Sequence, residues 1–174
     1  MNEQPDRAGR GVRWDSGDAY EPYVGRWSRL VAREFVTWLA VPPGSRWLDV
    51  GCGTGALIQT VLEHAAPSEV VGTDPSPAYI ALAGARMDDD PRAYFDIGDA
   101  QDLQAAAATF DALVSGLVLN FVPRPELAVA EMARVTRPEG TVAAYVWDYL
   151  RRHAADAPLL GCGRRLGPCG KGAR

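Results

Sequence analysis

"RWLDVGCGTGALI", residues 46–58, sets three glycines in five positions between a short apolar run and a helix-like stretch. Glycine accepts positive φ and lets another group approach the backbone closely. The spacing therefore predicts a strand, a tight ligand-bearing loop and a helix, the opening unit of a doubly wound α/β domain. The sequence on either side repeats this alternation. "EVVGTD" (69–74), "AYFDIGDA" (93–100), "FDALVSGLVL" (110–119) and "GTVAAYVW" (140–147) read as four further strands. They are apolar in continuous runs rather than on alternate residues, which predicts a parallel sheet covered on both faces.

The helices follow from a 3.6-residue period. Over 28–41, Val31, Phe35, Trp38 and Leu39 share a face behind a Ser28 N-cap. Over 56–66, Leu57, Ile58, Val61, Leu62 and Ala65 face inward, with Gln59, Thr60, Glu63 and His64 outward. Ser76 and Pro77 supply a cap and a first-turn proline for 78–87, and Pro125 to Val135 forms a helix between the last two strands.

Composition bounds the rest. The chain has 174 residues, 47% hydrophobic and 23% charged, with net charge −4, which suits one globular domain. No basic excess points to nucleic acid, and no apolar run reaches the roughly 20 residues of a membrane span. The polar N-terminus lacks the apolar core of a signal peptide, so the expected location is the cytoplasm. Three cysteines make no disulfide framework, and the spacing of Cys162 and Cys169 matches no zinc site. Three segments are expected: a disordered stretch over 1–18, the domain over 19–150, and an atypical basic tail over 151–174. That tail holds six basic residues against Asp156 alone, and it contains Lys171, the single lysine of the chain.

Two cofactors suit the loop. Gly51, Gly53 and Ala56 match G-x-G-x-x-A, the fingerprint of a nicotinamide dinucleotide, which is weak evidence alone. Gly51, Gly53 and Gly55 also read as G-x-G-x-G with Asp49 two positions ahead. A carboxylate inside a strand is costly without cationic partners, and an amino-acid-bearing cofactor organises them. Asp74 ends the second strand and suits a ribose hydroxyl in either case. "GDAQDL" offers Asp99 to an adenine amino group beside the backbone of Ala100. No second domain remains to present a substrate to a nicotinamide ring. These features favour S-adenosylmethionine over NAD, and over a plain strand–helix turn without a ligand.

With these motifs in place, the chain resembles the class I S-adenosylmethionine-dependent methyltransferases, in particular the small-molecule branch with a type 11 methyltransferase domain. The resemblance runs from residue 20 to about 149, through "LDVGCGTG", Asp74, "GDAQDL", "FDALVSGLVLNFV" and "ARVTRPEGTVAAYVWD". It implies that Gly51, Gly53 and Gly55 line the methionine part of the cofactor, with Asp74 on the ribose and Asp99 on the adenine. The candidate cofactor set is completed by Asp49, Pro75, Ala100 and Ser115. It further implies a Rossmann-like sheet of seven strands, a small-molecule methyl acceptor, and a helical N-terminal segment closing over the cofactor. Glu139 stands where the family commonly has a second glycine, a change expected to fall in a surface turn. After Leu150 nothing resembles the last two strands, so the sequence predicts a C-terminally truncated domain. A shifted reading frame and a natural short variant both account for the tail.

No residue is assigned to catalysis. Asn120, Asp148 and Tyr149 follow the fourth and fifth strands, where they either face the acceptor or cap loops. Tyr23 and Trp27 either form a lid or pack at a helix start. His64 is placed on a solvent face, and Cys52 is read as a small buried residue. A binding module without catalysis remains the third alternative.

Overall fold

A computed structural model of the chain describes residues 26–146; the side chains of residues 26–28 are not described. The elements are α1 (Arg26–Leu39), β1 (Arg46–Val50), α2 (Ala56–His64), β2 (Glu69–Asp74), α3 (Pro77–Arg86), β3 (Ala93–Ile97), β4 (Phe110–Gly116), a 3-10 turn (Leu119–Phe121), α4 (Pro125–Val135) and β5 (Thr136–Tyr145). The five strands form one sheet in the order β3-β2-β1-β4-β5, and every pair is parallel. The chain winds outward from β1 in one direction and then the other. That reversal opens a crevice at the carboxyl ends of β1 and β4, where ligands of such sheets bind.

Alternation along β1 separates two cores. Trp47 faces a cluster with Ala32, Val36 and Leu39 of α1 and Leu57, Ile58 and Val61 of α2. Leu48 and Val50 face the other way, onto Met132 and Val135 of α4 and Leu103 of the β3–β4 connection. Asp49 lies in register with Trp47 and so points toward the α1–α2 side.

Several sequence expectations need correction. The helix expected from a Ser28 cap already includes Arg26, so Ser28 is not its first flanking residue. Its buried line is Ala32, Val36 and Leu39; Trp38 is 48% exposed and stacks on Phe35, ring centres 6.4 Å apart. Thr60 is buried, not outward, because its hydroxyl donates to the Ala56 carbonyl one turn back at 2.9 Å. That local bond removes the cost of burying it.

The third strand is shorter than expected, ending at Ile97, and it is not covered on both faces. Tyr94, in register with Val71 and Leu48, is 53% exposed, since α4 covers β1 and β4 and leaves that side of β3 open among the described residues; Ile97, on the opposite face at the end of the strand, is 59% exposed. The fourth ends at Gly116, and the fifth begins at Thr136, straight from α4. The "RPEG" stretch is thus drawn into β5 rather than forming a separate surface turn. A register shift between Phe110↔Thr136 and Ala112↔Thr141 absorbs it, with Glu139 at φ 66°. Left-handed backbone costs a non-glycine residue roughly 1–2 kcal/mol, which is the physical meaning of glycine at this place. Tyr23, Asp148, Tyr149, the N-terminal segment 1–18, the start of the expected domain and the basic tail 151–174 lie outside the described residues, as does the side chain of Trp27.

Candidate functional site

The crevice is built on the glycine loop. Gly51, Gly53 and Gly55 adopt φ of 76°, 52° and 86°, three left-handed turns in five residues. Their conformation is held from β2: the Gly51 and Cys52 N–H groups donate to the Thr73 carbonyl at 2.8 and 3.0 Å. The Gly53 N–H donates to Asp74 Oδ2 at 3.0 Å, and Asp74 Oδ1 accepts from the Ser76 N–H at 2.9 Å. Asp74 therefore fastens the loop to the start of α3 as well as bordering the cleft.

Each glycine has a different neighbour. A Cβ on Gly51 would meet both γ carbons of Val118 at 2.5 Å, whereas one on Gly53 would meet nothing within 4 Å. Gly51 is the contact between two loops, and Gly53 borders open space. Gly55 is buried against α3, where its Cβ would fall 2.2 Å from Met87 Cε.

The cleft is lined from the loop side by Asp49, Gly51, Cys52, Gly53 and Thr54, by Ala56 and Leu57 of the first turn of α2, and by Asp74 and Tyr79. The opposite wall is Gly116, Leu117, Val118, Phe121 and Tyr145. Leu117 sits at φ 63°, and its N–H donates to the Tyr145 carbonyl at 2.7 Å. Tyr145 lies across the end of β4, its hydroxyl 2.6 Å from where a Gly116 Cβ would stand. Phe35 of α1 meets the Tyr145 ring edge-on at 4.9 Å.

Asp49 is the electrostatic anomaly. It is 1% exposed, and neither carboxylate oxygen has a hydrogen-bond partner among the described residues. Burial, reinforced by the charge of Asp74, pushes its pKa up to about 8. Burial raises Asp74 as well, opposed by the Ser76 and Gly53 N–H bonds. Burial, then the charges of Asp49 and Asp74, drive the Cys52 thiol well above its usual range, so Cys52 is no thiolate nucleophile.

The structure brings together Asp49, Gly51, Gly53 and Asp74 of the expected set. It does not bring the others to the cleft lining. Gly55 caps α2 from behind the loop. Ser115 is fully buried, its hydroxyl donating to the Val50 carbonyl at 2.8 Å, and the adjacent Gly116 takes the lining position. Pro75 is exposed, and Asp99 and Ala100 lie on the β3–β4 connection outside the lining. The Asp99 carboxylate accepts from the Gln101 N–H at 2.8 Å, which holds it below the usual carboxylate range. Asn120 is exposed on the 3-10 turn and His64 on α2.

Sequence reasoning missed the whole second wall. Leu117 gives no signal, because leucine rarely takes left-handed backbone. Tyr145 and Phe121 read as strand and loop aromatics, and only the fold sets them opposite the glycines. Among the described residues no group of acidic, histidine and cysteine side chains could hold a metal, and no helix is long and apolar enough to cross a membrane.

Comparison with known proteins places this geometry. A family model described as "Methyltransferase domain" matches residues 48–144. The demethylmenaquinone methyltransferase of Renibacterium salmoninarum is 37% identical over 115 residues, covering 66% of this chain and 45% of that protein. The trans-aconitate 2-methyltransferase of Deinococcus radiodurans is 31% identical over 115 residues, covering 66% and 43%. The chain thus spans less than half the length of these two relatives. The crystal structure of an S-adenosylmethionine-dependent methyltransferase from Mesorhizobium loti superimposes with a TM-score of 0.60 at 25% identity, covering 68% of this chain and 53% of that one.

Proposed function

Since the chain belongs to the methyltransferase domain family, we propose that its cleft binds S-adenosylmethionine and serves methyl transfer to a small-molecule acceptor. The observation that carries this reading is Asp49, a fully buried carboxylate facing the glycine loop without a partner. A dinucleotide would bring its anionic pyrophosphate to that loop, against Asp49 and Asp74. The methionine end of S-adenosylmethionine brings an ammonium, which supplies the missing cation. Its carboxylate suits the first turn of α2, whose N–H groups have no side-chain cap and favour an anion. Open space over Gly53 admits the ligand to the backbone, and Asp74 keeps lone pairs for ribose hydroxyls.

Bound there, the cofactor would supply an electrophilic methyl group, passed to an acceptor lone pair as its bond to sulfur breaks and S-adenosylhomocysteine leaves. The protein's part is orientation and exclusion of water. Asp49 would fix the ammonium, and Asp74 the ribose. Leu117, Val118, Phe121 and Tyr145 would wall the reacting end with apolar surface. That wall suits an uncharged conjugated acceptor, the class suggested by the quinone relative, better than a polycarboxylate of the kind named by the trans-aconitate relative.

Calorimetry tests the cofactor. S-adenosylhomocysteine is expected to bind and NAD to give no heat; tighter binding of NAD would move the chain to the oxidoreductases. Asp74→Ala is expected to weaken S-adenosylhomocysteine by roughly 1.5–3 kcal/mol, the range for hydrogen bonds to a charged group. Unchanged affinity in that variant would place the ribose elsewhere. A screen of labelled S-adenosylmethionine against metabolite fractions identifies the acceptor, and binding without any labelled product would leave a module that holds the cofactor and transfers nothing.

A further inference from the structure

The connection between β3 and β4, residues 98–109, has no helix of its own, and something else must fix its shape. Its first part is a local turn. Asp99 and Asp102 form an isolated bridge, and Gln101 binds both carboxylate oxygens of Asp99 through its side-chain amide at 3.1 Å. Such a turn is self-contained and would move as a unit unless anchored.

The anchor lies a few residues further on. The Arg134 guanidinium donates to the carbonyls of Leu103 at 2.9 Å and Ala105 at 2.8 Å. The Leu103 N–H donates to Glu131 at 2.9 Å. Glu131 in turn receives the Arg134 fork side-on, with Nε and Nη2 both at 2.7 Å. One ion pair on α4 therefore holds three backbone groups of the connection, and the buried Leu103 side chain seats beneath it against Met132 and Val135. The planar guanidinium satisfies four acceptors at fixed angles, which an ammonium cannot copy. A solvent-exposed pair of this kind contributes little to global stability, so its effect is expected in the geometry of the segment it grips.

We propose that the Glu131–Arg134 pair is a positioning element that sets the Asp99 turn against the purine end of the nucleoside, making base discrimination depend on a residue that lines no part of the cleft. This rests on the S-adenosylmethionine reading above and on the adenine-binding role that the family resemblance implies for Asp99, which stands on the connection beyond the cleft lining.

The test compares S-adenosylhomocysteine with S-inosylhomocysteine, whose purine carries a carbonyl in place of the amine, on the full chain. The unaltered protein is expected to favour the adenosyl ligand by roughly tenfold, about one charged hydrogen bond. In Arg134→Gln that ratio is expected to fall toward one, and adding Asp99→Asn should change it no further. Arg134→Lys, which keeps the charge and loses the fork, should behave like the glutamine variant. A partly unfolded variant lowers both apparent affinities by the same fraction and leaves their ratio intact, so loss of fold cannot imitate the result. If the unaltered chain binds neither ligand, the cofactor reading itself has failed. If it discriminates and Arg134→Gln discriminates equally well, the cofactor reading stands and the positioning role is refuted.

Discussion

Asp49→Asn is expected to make the ligand-free protein more stable at neutral pH while weakening S-adenosylhomocysteine roughly a hundredfold, about 3 kcal/mol for a lost charge-assisted contact. The two effects share one cause. The folded carboxyl titrates near pH 8, against an ordinary value of 3.8. Below pH 4 both folded and unfolded forms carry the proton, and Asp49 introduces no pH dependence. As pH rises, the unfolded chain ionises while the folded chain must keep its proton. Stability therefore falls with a slope approaching 1.4 kcal/mol per pH unit, and the fall ends as the folded group itself ionises near pH 8. The loss at pH 7 is of the order of a few kcal/mol, and asparagine removes it. Melting curves from pH 4 to 8 should diverge steadily between the two proteins; parallel curves would show that Asp49 is ionised and paired in the free protein. Ligand binding reverses the balance. A cation beside Asp49 draws off the proton, so S-adenosylhomocysteine binding at pH 7 should release close to one proton. Calorimetry in two buffers of different ionisation enthalpy measures this release, and the variant should show none at this group.

The second large effect separates two glycines that look alike in sequence. Gly51→Ala combines a left-handed φ of 76° with a methyl 2.5 Å from both γ carbons of Val118. The backbone term is roughly 1–2 kcal/mol and the overpacking term roughly 1–3. In a chain of this size that lowers the melting temperature by on the order of 10 °C. Gly53→Ala carries only the backbone strain, because its methyl meets no protein atom within 4 Å. Its melting temperature should fall by a few degrees, yet S-adenosylhomocysteine binding should drop by more than about a hundredfold, since the methyl occupies the ligand's space. A Gly53→Ala protein that binds normally would mean the ligand does not cross this part of the loop.

The contrast between these positions also marks where sequence reading succeeds. Three glycines behind an apolar run announce left-handed backbone, and an acid closing the second strand announces Asp74, because both signals are local. The alternation of strands and helices gave the doubly wound order for the same reason. The sequence gives Asp74 to a ribose; that it also accepts the Gly53 N–H at 3.0 Å is seen only in the fold. What each glycine touches is another matter. Val118 reaches Gly51 from the far side of the switch point, and Tyr145 reaches Gly116 from β5, through contacts that no local pattern encodes. Arg134 lies 31 residues from Leu103, and on α4 it reads as an ordinary polar residue of the last turn. Thr60 misled for the opposite reason, since a hydroxyl bonded to its own helix behaves as an apolar group. Ser115 did so too, its hydroxyl being used to tie β4 to β1.

The central place of β1 also governs how the chain is made. β2 follows β1 closely, but β4 completes the other edge of β1 only once Gly116 has been synthesised. During vectorial synthesis at about 5–20 residues per second, the β4-facing edge of β1 waits for several seconds after Val50 is joined. Through that interval the nascent sheet presents an unpaired hydrogen-bonding row along Trp47, Leu48 and Asp49, which invites pairing with a neighbouring nascent chain on the same message. Slower translation of the stretch before β4 should therefore lower the yield of folded protein, although the finished molecule would be identical.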